Sequence, residues 1–120
     1  MKIRITSLKC ILKLFAIILI TQSILSGCSK SKDTTQTPGA NEVYIESFAF
    51  SPSPIIVSAN TTVTWTNKDA VAHTVTSDNG LFDSGSLDTN ASYSHQFTTV
   101  GTFSYHCTVH PTMLAKVIVQ

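Results

Sequence analysis

Between Asn41 and Gln120, apolar residues recur at every second position in short segments, each closed by Asn, Asp, Gly, Pro or Ser. A period of two puts alternate side chains on opposite faces of a strand, whereas a helix needs a period near 3.6. No stretch of this region keeps the helical period, so an all-β fold is predicted. Val43 and Ile45 share one parity and Phe48 and Phe50 the other, and a bulge near Glu46-Ser47 would bring both pairs to the core. Ser51-Pro52-Ser53-Pro54 then stops pairing, because proline has no N–H to give a ladder. Ile55 and Val57 alternate, Ala59-Asn60 reads as a turn, and Val63 and Trp65 face inward with Thr62, Thr64 and Thr66 outward. Asn67-Lys68-Asp69 is another turn, and Val71, His73 and Val75 share a parity. Ser77 to Asn90 is rich in Asp, Asn, Ser and Gly, with Leu81 and Phe82 expected as plugs over the core. Tyr93 to Phe97, Phe103 to Cys107, and Ala115, Val117 and Val119 complete about seven short strands, the pattern of a Greek-key β-sandwich.

The first forty residues have a different texture. Lys2, Arg4, Lys9 and Lys13 stand without an acid, and Ile11 to Ile20 is apolar except for Lys13, the n-region and h-region of an export signal. The uncharged run from Leu14 to Cys28 falls short of the roughly 20 residues a spanning helix needs. Leu25-Ser26-Gly27-Cys28 matches the lipobox of bacterial lipoproteins, which implies removal of residues 1–27 and lipidation of Cys28. Ser29 to Ala40 holds no large apolar residue, so 28–40 reads as a lipid-anchored flexible linker, with a reach on the order of 20 Å, before a domain at 41–120. The expected location is extracytoplasmic, on the periplasmic or cell-surface side of a bacterial membrane.

Without the signal, four lysines stand against seven acidic residues, a net charge of −3, which argues against a nucleic-acid surface. Cysteine usage narrows the chemistry further. Cys10 leaves with the signal and Cys28 carries lipid, so Cys107 has no disulfide partner, and an unpaired thiol in an exported domain is either a metal ligand or a buried free thiol. Cys107-Thr108-Val109-His110-Pro111-Thr112-Met113 sets a thiolate, an imidazole and a thioether at spacing Cys-x2-His-x2-Met directly after a strand, so one short loop can turn all three to one point. His73, on the core parity of an earlier segment, can close that point. Two imidazoles, a thiolate and a weak axial thioether are the donor set of a trigonal copper site, while zinc favours a harder fourth ligand or a second thiolate. Four protein donors leave no open position, so substrate turnover is not expected.

The run Gly101-Thr-Phe-Ser-Tyr-His-Cys-Thr-Val-His-Pro-Thr-Met113 resembles the copper loop of the plastocyanin/amicyanin family of cupredoxins. Phe48-Ala-Phe-Ser-Pro52, Val63-Thr-Trp-Thr-Asn67, Asp69 and His73 fall where that family has its strands and first ligand, so the resemblance covers about residues 41–120. It implies a monomeric electron carrier holding one copper that cycles between Cu(I) and Cu(II). His73, Cys107 and His110 would be its equatorial ligands and Met113 its axial one. His110 would be the electron port, surrounded by Pro111, Thr112 and Ala72, for transient contact with redox proteins. Copper delivery or storage through the same ligands, and a metal-free surface lipoprotein, remain open at this level.

The chain also departs from the family pattern. Thr74 stands where the family often has an Asn that ties the two ligand loops together, and its hydroxyl is the candidate substitute. Val109 replaces a proline, and its N–H is expected to reach the Cys107 sulfur and raise the reduction potential. His106 is expected to be a solvated strand residue, His95 a structural histidine near a sheet end, and Trp65 and the phenylalanines core.

Overall fold

The computed structural model describes residues 36–120. The expected signal, the lipidated Cys28 and most of the linker lie outside the described residues, and no helix among the described residues is long and apolar enough to cross a membrane.

Among the described residues, eight strands build two sheets: β1 (Glu42–Glu46), β2 (Ala49–Ser51), β3 (Ile55–Val57), β4 (Thr61–Asn67), β5 (Thr76–Ser77), β6 (Ser92–Phe97), β7 (Gly101–His106) and β8 (Leu114–Val119). One sheet has the order β2-β1-β4-β6 and the other β3-β8-β7-β5. Both are mixed, with β1 parallel to β4 and β3 parallel to β8 among otherwise antiparallel pairs. This is the predicted β-sandwich. The proline run closes β2 at Ser51 and lets the chain cross to the other sheet, where Ile55 pairs with Val117.

The period of two sets the core. Val63 and Trp65 of β4, Val117 and Val119 of β8, and Val43 and Ile45 of β1 are buried between the sheets. Outside, Thr64 and Thr66 pair by their hydroxyls with Ser94 and Ser92 of β6, at 2.8 and 2.9 Å, so this face needs no apolar cover. Trp65 has no exposed surface and lies against Phe82, Tyr93, Phe97 and Tyr105. Its Nε1–H donates to the Tyr105 hydroxyl at 3.0 Å, so the one polar atom of the indole is satisfied inside the core. Burial pushes the Tyr105 phenol far above its ordinary pKa, against the opposing pull of the Trp65 N–H, and keeps it neutral.

Two expectations for the core fail. No bulge forms at Glu46-Ser47; instead Glu46 pairs with Ala49 across a two-residue turn, with φ of 55° at Ser47 and 58° at Phe48. Positive φ at both central residues matches the twist of a tight hairpin. The turn leaves Phe50 buried but Phe48 55% exposed. In the long segment after β5, Phe82 caps the core as expected while Leu81 is 50% exposed, and Leu87 takes the second capping position. His95 sits on the inward parity of β6 at the sheet edge, tilted against Phe82 and edge-to-face with Phe97, and burial lowers its pKa, which fits the expected structural role.

Asn67, at the end of β4, is fully buried and binds two loops at once. Its Nδ2 donates to the carbonyls of Val71 and Leu87 at 2.8 and 2.9 Å, and its Oδ1 accepts the Asp69 N–H at 2.9 Å. The same Leu87 exchanges both backbone hydrogen bonds with His73. The expected turn at 67–69 is therefore a bracket that fixes the backbone carrying His73.

Trp65→Phe and Tyr105→Phe each strand one buried polar atom, and each is expected to cost about 1–3 kcal/mol in urea unfolding. The double variant strands neither atom and is expected to cost less than the sum of the two. Strict additivity would show that the 3.0 Å contact contributes nothing.

Candidate metal centre

At one end of the sandwich the loop from Val71 to Val75 meets the loop from Cys107 to Met113. The distances are 3.7 Å from Cys107 Sγ to His73 Nδ1, 3.7 Å from Sγ to His110 Nδ1, and 3.1 Å between the two ring nitrogens. These are the one group among the described residues arranged to hold a metal ion. A triangle with sides of 3.7, 3.7 and 3.1 Å has a centre about 2.0 Å from every corner, which is the length of a metal–imidazole bond. The donors present therefore fit one ion held in trigonal fashion, and their mixture of nitrogen and sulfur fits copper.

Two of the three donors are aimed by their surroundings. His73 has no exposed surface, and its Nε2 lies 2.9 Å from Asp69 Oδ2. An Nε2–H given to that carboxylate leaves the Nδ1 lone pair facing the centre, the usual way a protein selects the tautomer of a ligating histidine. Asp69 does more than orient one ring. Its Oδ1 accepts the Ser47 N–H at 2.7 Å and its Oδ2 the Phe48 N–H at 3.0 Å, so one carboxylate clamps the strained turn to the histidine. Partial burial pushes the Asp69 carboxyl up, but the N–H groups of Phe48 and Ser47 together with His73 outweigh it and leave its pKa below the usual carboxylate value.

Cys107 is fully buried and unpaired. Its sulfur accepts the Thr74 N–H at 3.3 Å. The expected bond from Val109 N–H to the sulfur is not formed, so the sulfur has one backbone donor rather than two. Val109 is exposed at the loop surface, which removes the basis for linking it to the potential through the thiolate. Thr74 does tie the ligand loops, since its hydroxyl accepts the Thr108 N–H at 2.8 Å and lies 3.0 Å from the Thr108 hydroxyl. A threonine here does the work of the family's asparagine.

Met113 is buried at the end of the same loop. Its N–H donates to the His110 carbonyl at 2.9 Å and its carbonyl accepts the Cys107 N–H at 3.1 Å, which closes the loop into a compact turn. His106, one residue before the cysteine, points to the other side of β7 and pairs with Asp78 at 2.6 Å, part-exposed as its parity predicts.

Phe48 is the residue at this site that the sequence did not reveal. Its ring stands edge-on to His73 at 5.5 Å and to His110 at 5.1 Å, while more than half of it faces solvent. Alternation assigned it to the core, and only the turn geometry, set by an acid twenty-one residues away, brings it to the metal centre.

A two-sheet β-sandwich with two imidazoles and one cysteine sulfur converging between its end loops defines a mononuclear copper protein of the type 1 class. Residues 14–119 match the model of the cupredoxin-like domain. The chain is 36% identical over 87 residues to amicyanin-alpha of Methylorubrum extorquens, a match covering 68% of this chain and 73% of the relative. It is likewise 36% identical to amicyanin of Paracoccus denitrificans, over 68% of this chain and 66% of that protein. Among solved structures, an oxidised amicyanin variant superposes with a TM-score of 0.65 at 32% identity, over 72% of this chain and 88% of the other. The purple cupredoxin of Nitrosopumilus maritimus superposes with a TM-score of 0.61, also at 32% identity, over 66% of this chain and 98% of the other. The chain belongs to the cupredoxin family. It is a type 1 copper protein of the amicyanin/plastocyanin kind, an electron carrier with one copper per chain.

Asp69→Asn cannot accept from both Ser47 and Phe48 while also accepting from His73, since one of its two polar atoms becomes a donor. Cu(II) affinity, measured by chelator competition, is expected to fall about 10–100-fold. An unchanged affinity would show that the carboxylate only holds the turn.

Proposed function

We propose that His73, Cys107 and His110 are the equatorial ligands of the copper and Met113 its axial ligand. In this reading the chain passes single electrons between extracytoplasmic redox partners, with His110 as the port. The observation that carries it is the convergence of the two Nδ1 atoms and Sγ on a point about 2.0 Å from each. Bound copper supplies one-electron cycling between Cu(I) and Cu(II).

The residues do the rest. Cys107 is held by the Thr74 N–H and the backbone of Met113, and His73 by Asp69 and Leu87, so the donors keep nearly one geometry whatever the charge at the centre. A ligand set that need not rearrange presents little barrier to electron transfer. Burial of His73, Cys107 and Met113 shields the centre from water, and a set of four protein donors would leave no position for a substrate, which supports a carrier rather than an enzyme. His110 is the ligand only part-buried. Around it the chain exposes Phe48, Val109 and Pro111, a few apolar side chains of the kind that support brief docking rather than a lasting complex.

The mature chain is proposed to begin at Cys28, lipidated and anchored to a bacterial membrane on the periplasmic or cell-surface side. Residues 28–40 then act as tether for a monomeric domain at 41–120. The Lys-rich start, the apolar run and the lipobox in register support that assignment.

Protein voltammetry separates a carrier from a copper-delivery protein. A carrier is expected to give a reversible one-electron wave, with about 59 mV per decade in its Nernst plot, and to retain its metal over repeated cycles. Loss of Cu(I) to a chelator on each reduction would contradict the carrier reading. Replacing Phe48 with Glu is expected to leave the visible spectrum in place and to slow electron self-exchange by about tenfold, the loss of one favourable contact worth about 1.4 kcal/mol. An unchanged rate would remove Phe48 from the docking surface.

A further inference from the structure

The chain ahead of β1 does not run straight out of the sandwich. The Glu42 N–H donates to the Gly39 carbonyl at 3.1 Å and Glu42 Oε2 accepts the Gly39 N–H at 2.9 Å, so residues 39–42 form a closed reverse turn. Traced backward from that turn, residues 38 to 36 follow the direction of β1, and Pro38 is half-buried. Gln36 Oε1 then accepts a hydrogen bond from Lys68 Nζ at 3.1 Å, and the same ammonium stands over the Tyr44 ring, 4.7 Å from its centroid. Tyr44 lies on the outward parity of β1, between Val43 and Ile45, which face the core, yet it is only 8% exposed. Lys68 and Tyr44 therefore form a clasp on the outer face of the sheet, and it holds the segment by which the chain enters the domain.

The place of the clasp decides which end of the sandwich that segment comes from. Tyr44 stands opposite Thr66, and the Lys68 N–H donates to the Ile45 carbonyl, so both belong to the far half of the parallel pair β1 and β4. Asp69, the next residue, holds His73 through the 2.9 Å contact to Nε2, which makes this half the metal-bearing one. The 39–42 turn is at the other end, about 13 Å away along β1 at roughly 3.3 Å per residue. Released from the clasp, the chain would leave at the end remote from the metal centre. Held by it, the chain leaves beside the metal centre. Eight residue steps separate Cys28 from Gln36, a reach of about 27 Å fully extended and about 16 Å as a flexible chain.

We infer that the clasp of Lys68 and Tyr44 on Gln36 turns the copper end of the anchored domain toward the membrane, and that the partner docking there is a redox protein bound to the same membrane, with its electron-transfer centre near head-group level. The inference rests on lipidation of Cys28 and on the copper site proposed above. Phe48, Val109 and Pro111, exposed beside His110, are then presented at the height of such a partner. A short tether fixed at that end raises the effective concentration of the port at the membrane surface without adding any contact to the partner.

The test uses the full-length chain, exported, lipidated, loaded with copper and placed in phosphatidylcholine vesicles, whose neutral surface does not attract Lys68 by charge. Two one-electron donors are compared, a neutral ferrocene in solution and a ferrocene linked to a lipid head group. Each gives one electron to Cu(II), which leaves ferrocenium and Cu(I). Lys68→Ala and Gln36→Ala are each expected to slow reduction by the lipid-linked donor about tenfold, while the soluble donor reduces native and variant proteins at one rate. A nitroxide on Thr37→Cys reads the placement directly by its EPR distance to Cu(II), expected to be single and narrow, and to lengthen and broaden when Lys68→Ala is added. Equal rates of native and variants with the lipid-linked donor, slowing of both donors alike, or a broad distance with Lys68 in place would overturn the inference. Failure of the native chain to float with vesicles would overturn it together with the lipid anchor, and a colourless protein would overturn it together with the ligand assignment. Both of those failures are seen in the native protein alone, whereas failure of the clasp is seen when anchored, coloured variants are compared with native.

Discussion

Three lone-pair donors, two imidazole nitrogens and a sulfur, are held within 3.7 Å of one another, and the rest of the domain is arranged around that convergence. A mobile chain would lose considerable conformational entropy in bringing His73 to Cys107 across thirty-four residues. The sandwich supplies that order in advance. Buried Val75 on one loop, and Ala115 and Val117 on β8, anchor the segments carrying these donors in the core, while the Trp65–Tyr105 contact fixes the strand that leads into Cys107. Rigidity at the centre is thus a consequence of core packing, and low reorganisation on electron transfer is a consequence of rigidity.

Asp69 links this order to the protein surface. Ser47 and Phe48 adopt positive φ, a conformation that costs of order 1–3 kcal/mol at a residue other than glycine, and it persists because both N–H groups are bound by a carboxylate. The result is an aromatic ring held out in solvent against the imidazoles of His73 and His110. Local strain, electrostatics and the exposed aromatic beside the centre are therefore set by one side chain, which also orients the His73 ring.

The fold was legible wherever a strand has one buried face. Val63, Trp65, Val117 and Val119 follow the period of two, and the prolines at 52 and 54 mark the crossing between sheets. The candidate ligands were legible for a different reason, because the unpaired Cys107, His110 and Met113 lie within one loop and donor chemistry limits what such a set can do. What depended on contacts distant in sequence was not. Phe48 and Leu81 are apolar residues placed outside by turn geometry, so hydrophobicity misassigned both, and nothing in the turn reading of Asn67 signalled that the loops it brackets bury it. The role of Thr74 was open until the position of the Thr108 N–H was known, and the sulfur takes its backbone hydrogen bond from Thr74 rather than from Val109.

The account stands on the claim that the folded domain presents His73, Cys107 and His110 to copper as one trigonal site. The visible and EPR spectra of residues 29–120 after addition of Cu(II), beside a Cys107→Ala control, test it most directly. The account predicts an intense band near 600 nm (about, for a copper–thiolate bond of this kind) with narrow copper hyperfine splitting, both absent from the control. A colourless protein, or a weakly coloured one with the wide splitting of tetragonal copper that survives loss of Cys107, would contradict it.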